Sequence, residues 1–137
     1  MKAAQGEKGQ SIVEMAFILP ILALFLIVVI DAARAFDAYI VLTNATREGA
    51  RYGSYFRQDG NVTVPSVQSV VVEDVLGSGT NLTRMETFSA ANVTVVGMSP
   101  GSTEVIVTAT YDFPLYFGGL VGLDTFHLSK QAVMPVP

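Results

Sequence analysis

Few side chains in this 137-residue sequence are of a type that does chemistry, and their positions narrow the choices further. Cysteine is absent, which removes disulfides, thiolate metal sites and cysteine nucleophiles together. His127 is the single histidine, which makes a zinc or acyl-transfer site built on histidine implausible. Its alternation with Phe126 and Leu128 turns it toward solvent. Glu73 and Asp74 are adjacent and would point about 100° apart on a helix, too divergent for a carboxylate pair on one substrate. No glycine-rich phosphate loop follows a strand. The expectation is a chain with no catalytic residue, no metal and no cofactor. One titratable group stands in an unusual place: Glu14 opens an apolar run, because Met15 to Ile30 is sixteen residues without a charge. A carboxylate at the edge of a spanning helix is costly and tends to have a task. The plain alternative is that it lies shallow enough to reach water and does nothing.

The elements that position Glu14 can be read from the same stretch. Ile12 to Ile30 is nineteen residues, enough at 1.5 Å per residue to cross a bilayer core of about 30 Å. Lys2 and Lys8 precede it, and an acidic segment follows, so residues 1–10 are expected in the cytoplasm and the rest outside. Pro20 lacks an amide hydrogen and its ring collides with the carbonyl of Ala16, which predicts a kink or local unwinding. No proline follows until Pro65, and Asp31 with Arg34 sits at helical-neighbour spacing, so the helix is expected to continue to about Tyr52. At roughly 63 Å it would be about twice the hydrocarbon thickness and would carry the globular part on its outer half.

Ser54 to Val64 reads as a loop, and Pro65 can open a second helix with Val67, Val71 and Val75 on one side and Gly77-Ser78-Gly79 as its stop. The period then changes to two. Asn92–Val96 and Thr103–Asp112 alternate, joined by Ser99-Pro100-Gly101-Ser102, and Phe126–Val133 supplies a third strand. The fold class is therefore α+β: a long N-terminal membrane-spanning helix, a second helix and a three-stranded antiparallel sheet. The segment 113–123 is too apolar for a free loop. It is expected to fold back over the sheet, the alternative being an exposed patch for a neighbour or the membrane surface.

A lysine, a glycine, a glutamate five residues on and an uninterrupted apolar helix form the pattern that prepilin peptidases process, cutting after the glycine. Here the bond is Gly9–Gln10. In an assembled filament Glu14 of one subunit would meet the new α-amino group of a neighbour, neutralising both within an apolar bundle. The stretch GQSIVEMAFILPILALFLIVVIDAARAFDAYIVLTNATREGARYGS, residues 9–54, resembles the TadE-like family of pilin-like proteins of tight-adherence (Tad) pili, through the LP inside the apolar helix and the TNATREGARYG block. Gln10 stands where type IV pilins usually carry an aromatic residue or methionine. The resemblance implies a membrane-inserted prepilin that is clipped, extracted and built into a thin adhesive pilus, or primes one. Its implied partners are other pilin subunits, the prepilin peptidase, the inner-membrane assembly platform and the membrane, at the cytoplasmic membrane and then the cell surface.

The expected organisation is a leader at 1–9, a transmembrane pilin helix at 10–53 and an extracytoplasmic α+β domain at 54–137. Cleavage is assigned to Gly9 and Gln10, and assembly to Glu14 and to Pro20 as a joint for a filament that stretches. Some 85 globular residues favour a minor subunit. The alternative is an uncleaved, single-pass envelope protein with an extracytoplasmic binding domain; release by signal peptidase after Ala33-Arg34-Ala35 is weaker, since Glu14 is out of place in a signal peptide. The net charge of −4 argues against nucleic acid as a partner. Arg47, Glu48 and Arg51 are either a solvated face or a contact with the sheet or a neighbouring subunit. Finally, Asn44, Asn61, Asn81 and Asn92 each begin an Asn-x-Thr triplet, the acceptor pattern for N-glycosylation of exported protein, with Asn61 and Asn81 the accessible candidates.

Overall fold

In a computed structural model of the chain, the described residues are 4–56, 60–78, 83–120 and 122–137. Helix α1 spans Ala4–Phe56 and helix α2 Val64–Ser78; strands β1 (Val93–Val96), β2 (Glu104–Pro114) and β3 (Thr125–Pro135) follow. The strands form an antiparallel sheet in the order β1-β2-β3. The fold is α+β, as the periodicities require.

α1 is one element of 53 residues, about 80 Å long. Its start at Ala4 places the Gly9–Gln10 bond inside a helical turn, and its end lies a turn beyond the expected Tyr52. It also passes through Pro20 without interruption, so the local unwinding expected there does not occur. A proline removes one hydrogen bond, and the turns on either side can carry the helix across it. Among the described residues α1 is the one helix long and apolar enough to cross a membrane.

The core is built from the second half of α1. Ala35, Ala38, Leu42 and Ala45 recur at helical spacing and are buried with Val67, Val71 and Val75 of α2, the residues expected on its inner face. The sheet meets them with alternate residues of β2, Val105, Val107, Ala109, Tyr111 and Phe113. Register follows from this alternation, since a one-residue slip would turn the whole set to solvent; Val107 lies opposite Val95 on one side and Ala132 on the other. Gly49 sets the distance between the helices: a Cβ there would lie 2.3 Å from Val71 Cγ2, so α2 approaches as it does only because position 49 has no side chain.

Ala35 belongs to this core and Arg34 is buried beside it. A cut after Ala35 would therefore take Asp31, Arg34 and Ala35 out of the folded domain, which removes the physical appeal of the signal-peptidase reading.

Candidate functional site

The residues assigned to processing and assembly lie on the part of α1 that the domain does not cover. From Gly9 to Phe25 every described side chain is exposed, and among the described residues nothing beyond the adjoining helix backbone lies within 4 Å of where a Cβ on Gly9 would be. Glu14 is not alone: the Gln10 side-chain amide donates to Glu14 Oε1 at 3.1 Å, one turn away. The side chain of the residue that would become the new terminus thus already reaches the carboxylate through the helical i, i+4 spacing. Pro20 is separated from both in the middle of the apolar run.

A second cluster lies where the apolar run ends and the domain begins. Asp31, the first residue beyond Ile30, is buried. Its carboxylate accepts the backbone N–H of Tyr116 at 3.2 Å and of Phe117 at 3.0 Å, and the Arg34 guanidinium at 2.9 Å. Burial pushes the Asp31 pKa up, but the N–H groups of Phe117 and Tyr116 and the charge of Arg34 outweigh it and hold the carboxyl below its ordinary value. Arg34 in turn stacks on the Tyr116 ring, 3.5 Å from its centroid, with Phe113 at 5.0 Å. The helical spacing of Asp31 and Arg34 was legible in the sequence. That their partners come from a loop more than 80 residues later was not.

This clamp corrects the reading of segment 113–123. It does not fold back over the sheet: Phe113 is buried as the last inward residue of β2 and Gly118 is buried in a turn, but Tyr116, Phe117 and Leu123 are exposed. Two backbone donors without strand partners found a carboxylate on α1 instead. Val121 lies outside the described residues.

The remaining candidates divide plainly. The Arg51 side chain donates to Glu48 at 2.9 Å on an exposed face and holds the Glu48 carboxyl below its ordinary value, while Arg47 points to solvent, so these three form a solvated face. What packs in that block is its small residues, Ala45, Gly49, Ala50 and Gly53. Exposed His127 pairs with Asp112 across the β2–β3 register at 2.7 Å. Asn61 is exposed beside a turn at Gly60, Asn92 Oδ1 accepts the Ser89 backbone N–H, and Asn81 lies outside the described residues. Among the described residues no group of three or more His, Asp or Glu is placed to hold a metal ion.

With this geometry in place, one comparison decides the class of α1: residues 9–51 match the model of the family described as TadE-like protein. This segment is TadE-like. The match covers the free apolar half of α1 and most of the half that the domain packs against, and it stops before α2 and the sheet. No curated protein and no solved structure matched the chain. The TadE-like match suggests a Tad-pilus-associated, pilin-like protein, in a structural rather than enzymatic family, with pilus-related protein partners and an attachment to the membrane through α1.

Proposed function

We propose that this TadE-like chain is a minor pilin-like subunit of a Tad pilus, made as a membrane-inserted precursor with its N-terminus in the cytoplasm. The observation that carries the reading is that the residues of the family match fall on a helix whose side chains are exposed all round from Gly9 to Leu26, the form of a subunit that is completed by neighbours. In this reading residues 1–9 are a leader, 10–53 the transmembrane and filament helix and 54–137 the extracytoplasmic domain. A prepilin peptidase cuts Gly9–Gln10. Because that bond lies in a helical turn, the peptidase must open the turn first. Gly9 lowers the cost of doing so, since glycine is about 1 kcal/mol less favourable than alanine inside a helix.

After cleavage, the new α-amino group of one subunit meets Glu14 of the next, and an apolar bundle excludes water from both. Pro20 gives that bundle a joint where one helical hydrogen bond is already missing. The assembly platform extracts the subunit, and the domain supports surface adhesion. Asn61 is the accessible position for a glycan on the exported domain, with Asn81 as a second acceptor.

Intact-mass measurement of the cell-associated protein tests the reading. The expected product begins at Gln10 and carries a formal charge of −5 in place of −4, because Lys2, Glu7 and Lys8 leave together. A mature chain that retains Met1 refutes processing and leaves the uncleaved, membrane-anchored envelope protein as the function.

A further inference from the structure

The end of the domain nearest the free half of α1 carries a surface that filament assembly does not explain. After β2 the chain turns back toward β3 through a segment closed at Gly118, whose carbonyl accepts the Leu123 N–H at 2.9 Å. A Cβ on Gly118 would lie 1.7 Å from the Leu123 carbonyl oxygen, so the turn closes only on glycine. Asp31 pins this turn to α1. Held in that way, Tyr116, Phe117, Leu123 and Phe126 remain 62%, 40%, 61% and 54% exposed. The last three line an open, apolar groove of ≈ 430 Å³ whose α1 wall runs from Leu24 and Val28 past Ile30 to Phe36 and Tyr39.

Depth decides what faces this groove. Leu24 and Val28 precede Ile30, the last residue of the apolar run, by two to six positions, roughly 3–9 Å along the helix axis. If α1 spans a bilayer, side chains beside Leu24 and Val28 lie at the boundary between headgroups and acyl chains, where an apolar groove is not filled by water. In water, such a contiguous patch would be a liability. Tyr116, with an apolar ring and a polar tip, suits the same depth. Of the cations near the groove, Arg34 is paired with Asp31 and Lys130 donates to the Tyr39 hydroxyl at 3.0 Å, and the exposed charge of the segment itself is the negative Asp124, so the apolar lining sets what the groove takes.

We infer that the end of the domain that carries Tyr116, Phe117, Leu123 and Phe126 is a foot seated in the outer leaflet of the bilayer that α1 spans, with a phospholipid acyl chain in the groove; this rests on the reading of α1 as a membrane helix. The chain has no cysteine, so single-cysteine variants of the full-length protein label cleanly. Leu123→Cys, Phe25→Cys and Ser99→Cys each take an environment-sensitive fluorophore at an exposed position and are reconstituted in phosphatidylcholine vesicles doped with spin-labelled lipid. Ser99 lies beyond the far end of β2, about 30 Å away along the strand.

The expected result is blue-shifted emission and quenching at Leu123 comparable to that at Phe25, none at Ser99, and no change when protein is diluted into more lipid. Water-like, unquenched emission at Leu123 with Phe25 quenched overturns the foot and leaves the anchor standing. Shielding at Leu123 that disappears on dilution also overturns it, because a second copy then covers the surface. Absence of quenching at Phe25 overturns the anchor itself and the foot with it.

Discussion

The two halves of α1 share one backbone and almost nothing else. From Met15 to Ile30 the helix carries no charge and every residue but the half-buried Ile27 is exposed; from Asp31 onward it carries a stripe of small or aliphatic residues buried in the core. A helix that is apolar all round needs an apolar solvent, whereas one with a stripe needs a core. The boundary between the two solvents is a single turn, Asp31 to Arg34, and there the chain places its one buried, hydrogen-bonded ion pair among the described residues. A continuous helix can therefore serve two environments provided that its polar transition is satisfied by the fold.

Paired truncations should break the comparison most sharply. Leu42→Ala removes a fully buried side chain from the second half and should lower the domain's unfolding free energy by about 2–5 kcal/mol. Leu22→Ala, in the first half, should leave it within about 0.5 kcal/mol, since that residue is exposed and lies outside the core. Denaturant unfolding of the detergent-solubilised protein measures both, and equal effects would show that the free half is part of the domain core.

Next in size is Gly49→Ala. The new methyl meets the Val71 side chain, and separating α1 from α2 should cost about 1–3 kcal/mol in the same assay, despite alanine's better helix propensity. A stabilised variant would mean that the interhelix distance is not set at position 49.

The clamp sharpens the boundary itself. Asp31→Ala strands the Tyr116 and Phe117 amides and takes the carboxylate from Arg34, at about 1–3 kcal/mol. Hydrogen exchange should rise in 115–124 before it rises in the strands. Acid should act in the same way. The Asp31 carboxyl is held below its unfolded value, so its contribution is fully present above about pH 4 and is lost as pH falls through the lower, folded-state pKa. Opening of the loop as pH rises from neutral, instead of as it falls, would reverse the assigned sign.

The smallest effect belongs to Glu48→Gln. Its ion pair with Arg51 is exposed, and unfolding should shift by less than about 0.5 kcal/mol, with whatever remains vanishing in high salt. A loss beyond 1 kcal/mol would assign this face a contact that the monomer does not contain.

Much of this molecule follows from local rules. The charge-free run, the valines three to four apart in α2 and the two-residue alternation of β2 each satisfy one periodicity and exclude the other, so the helices, the strands and their inner faces are legible in the sequence. The placement of Glu14 one turn after Gln10 is legible for the same reason. What tertiary structure decided lies where partners are distant in sequence. Asp31 and Tyr116 are separated by 85 positions, and no local period reports that a carboxylate at the end of an apolar helix will be met by two loop amides. Gly49 reads as an ordinary weak point in a helix until Val71 lies against it. The apolar 113–123 segment was expected over the sheet because hydrophobicity states only that a residue should leave water. Which surface receives it depends on where the unpaired backbone donors of the turn find an acceptor, and that acceptor was on α1.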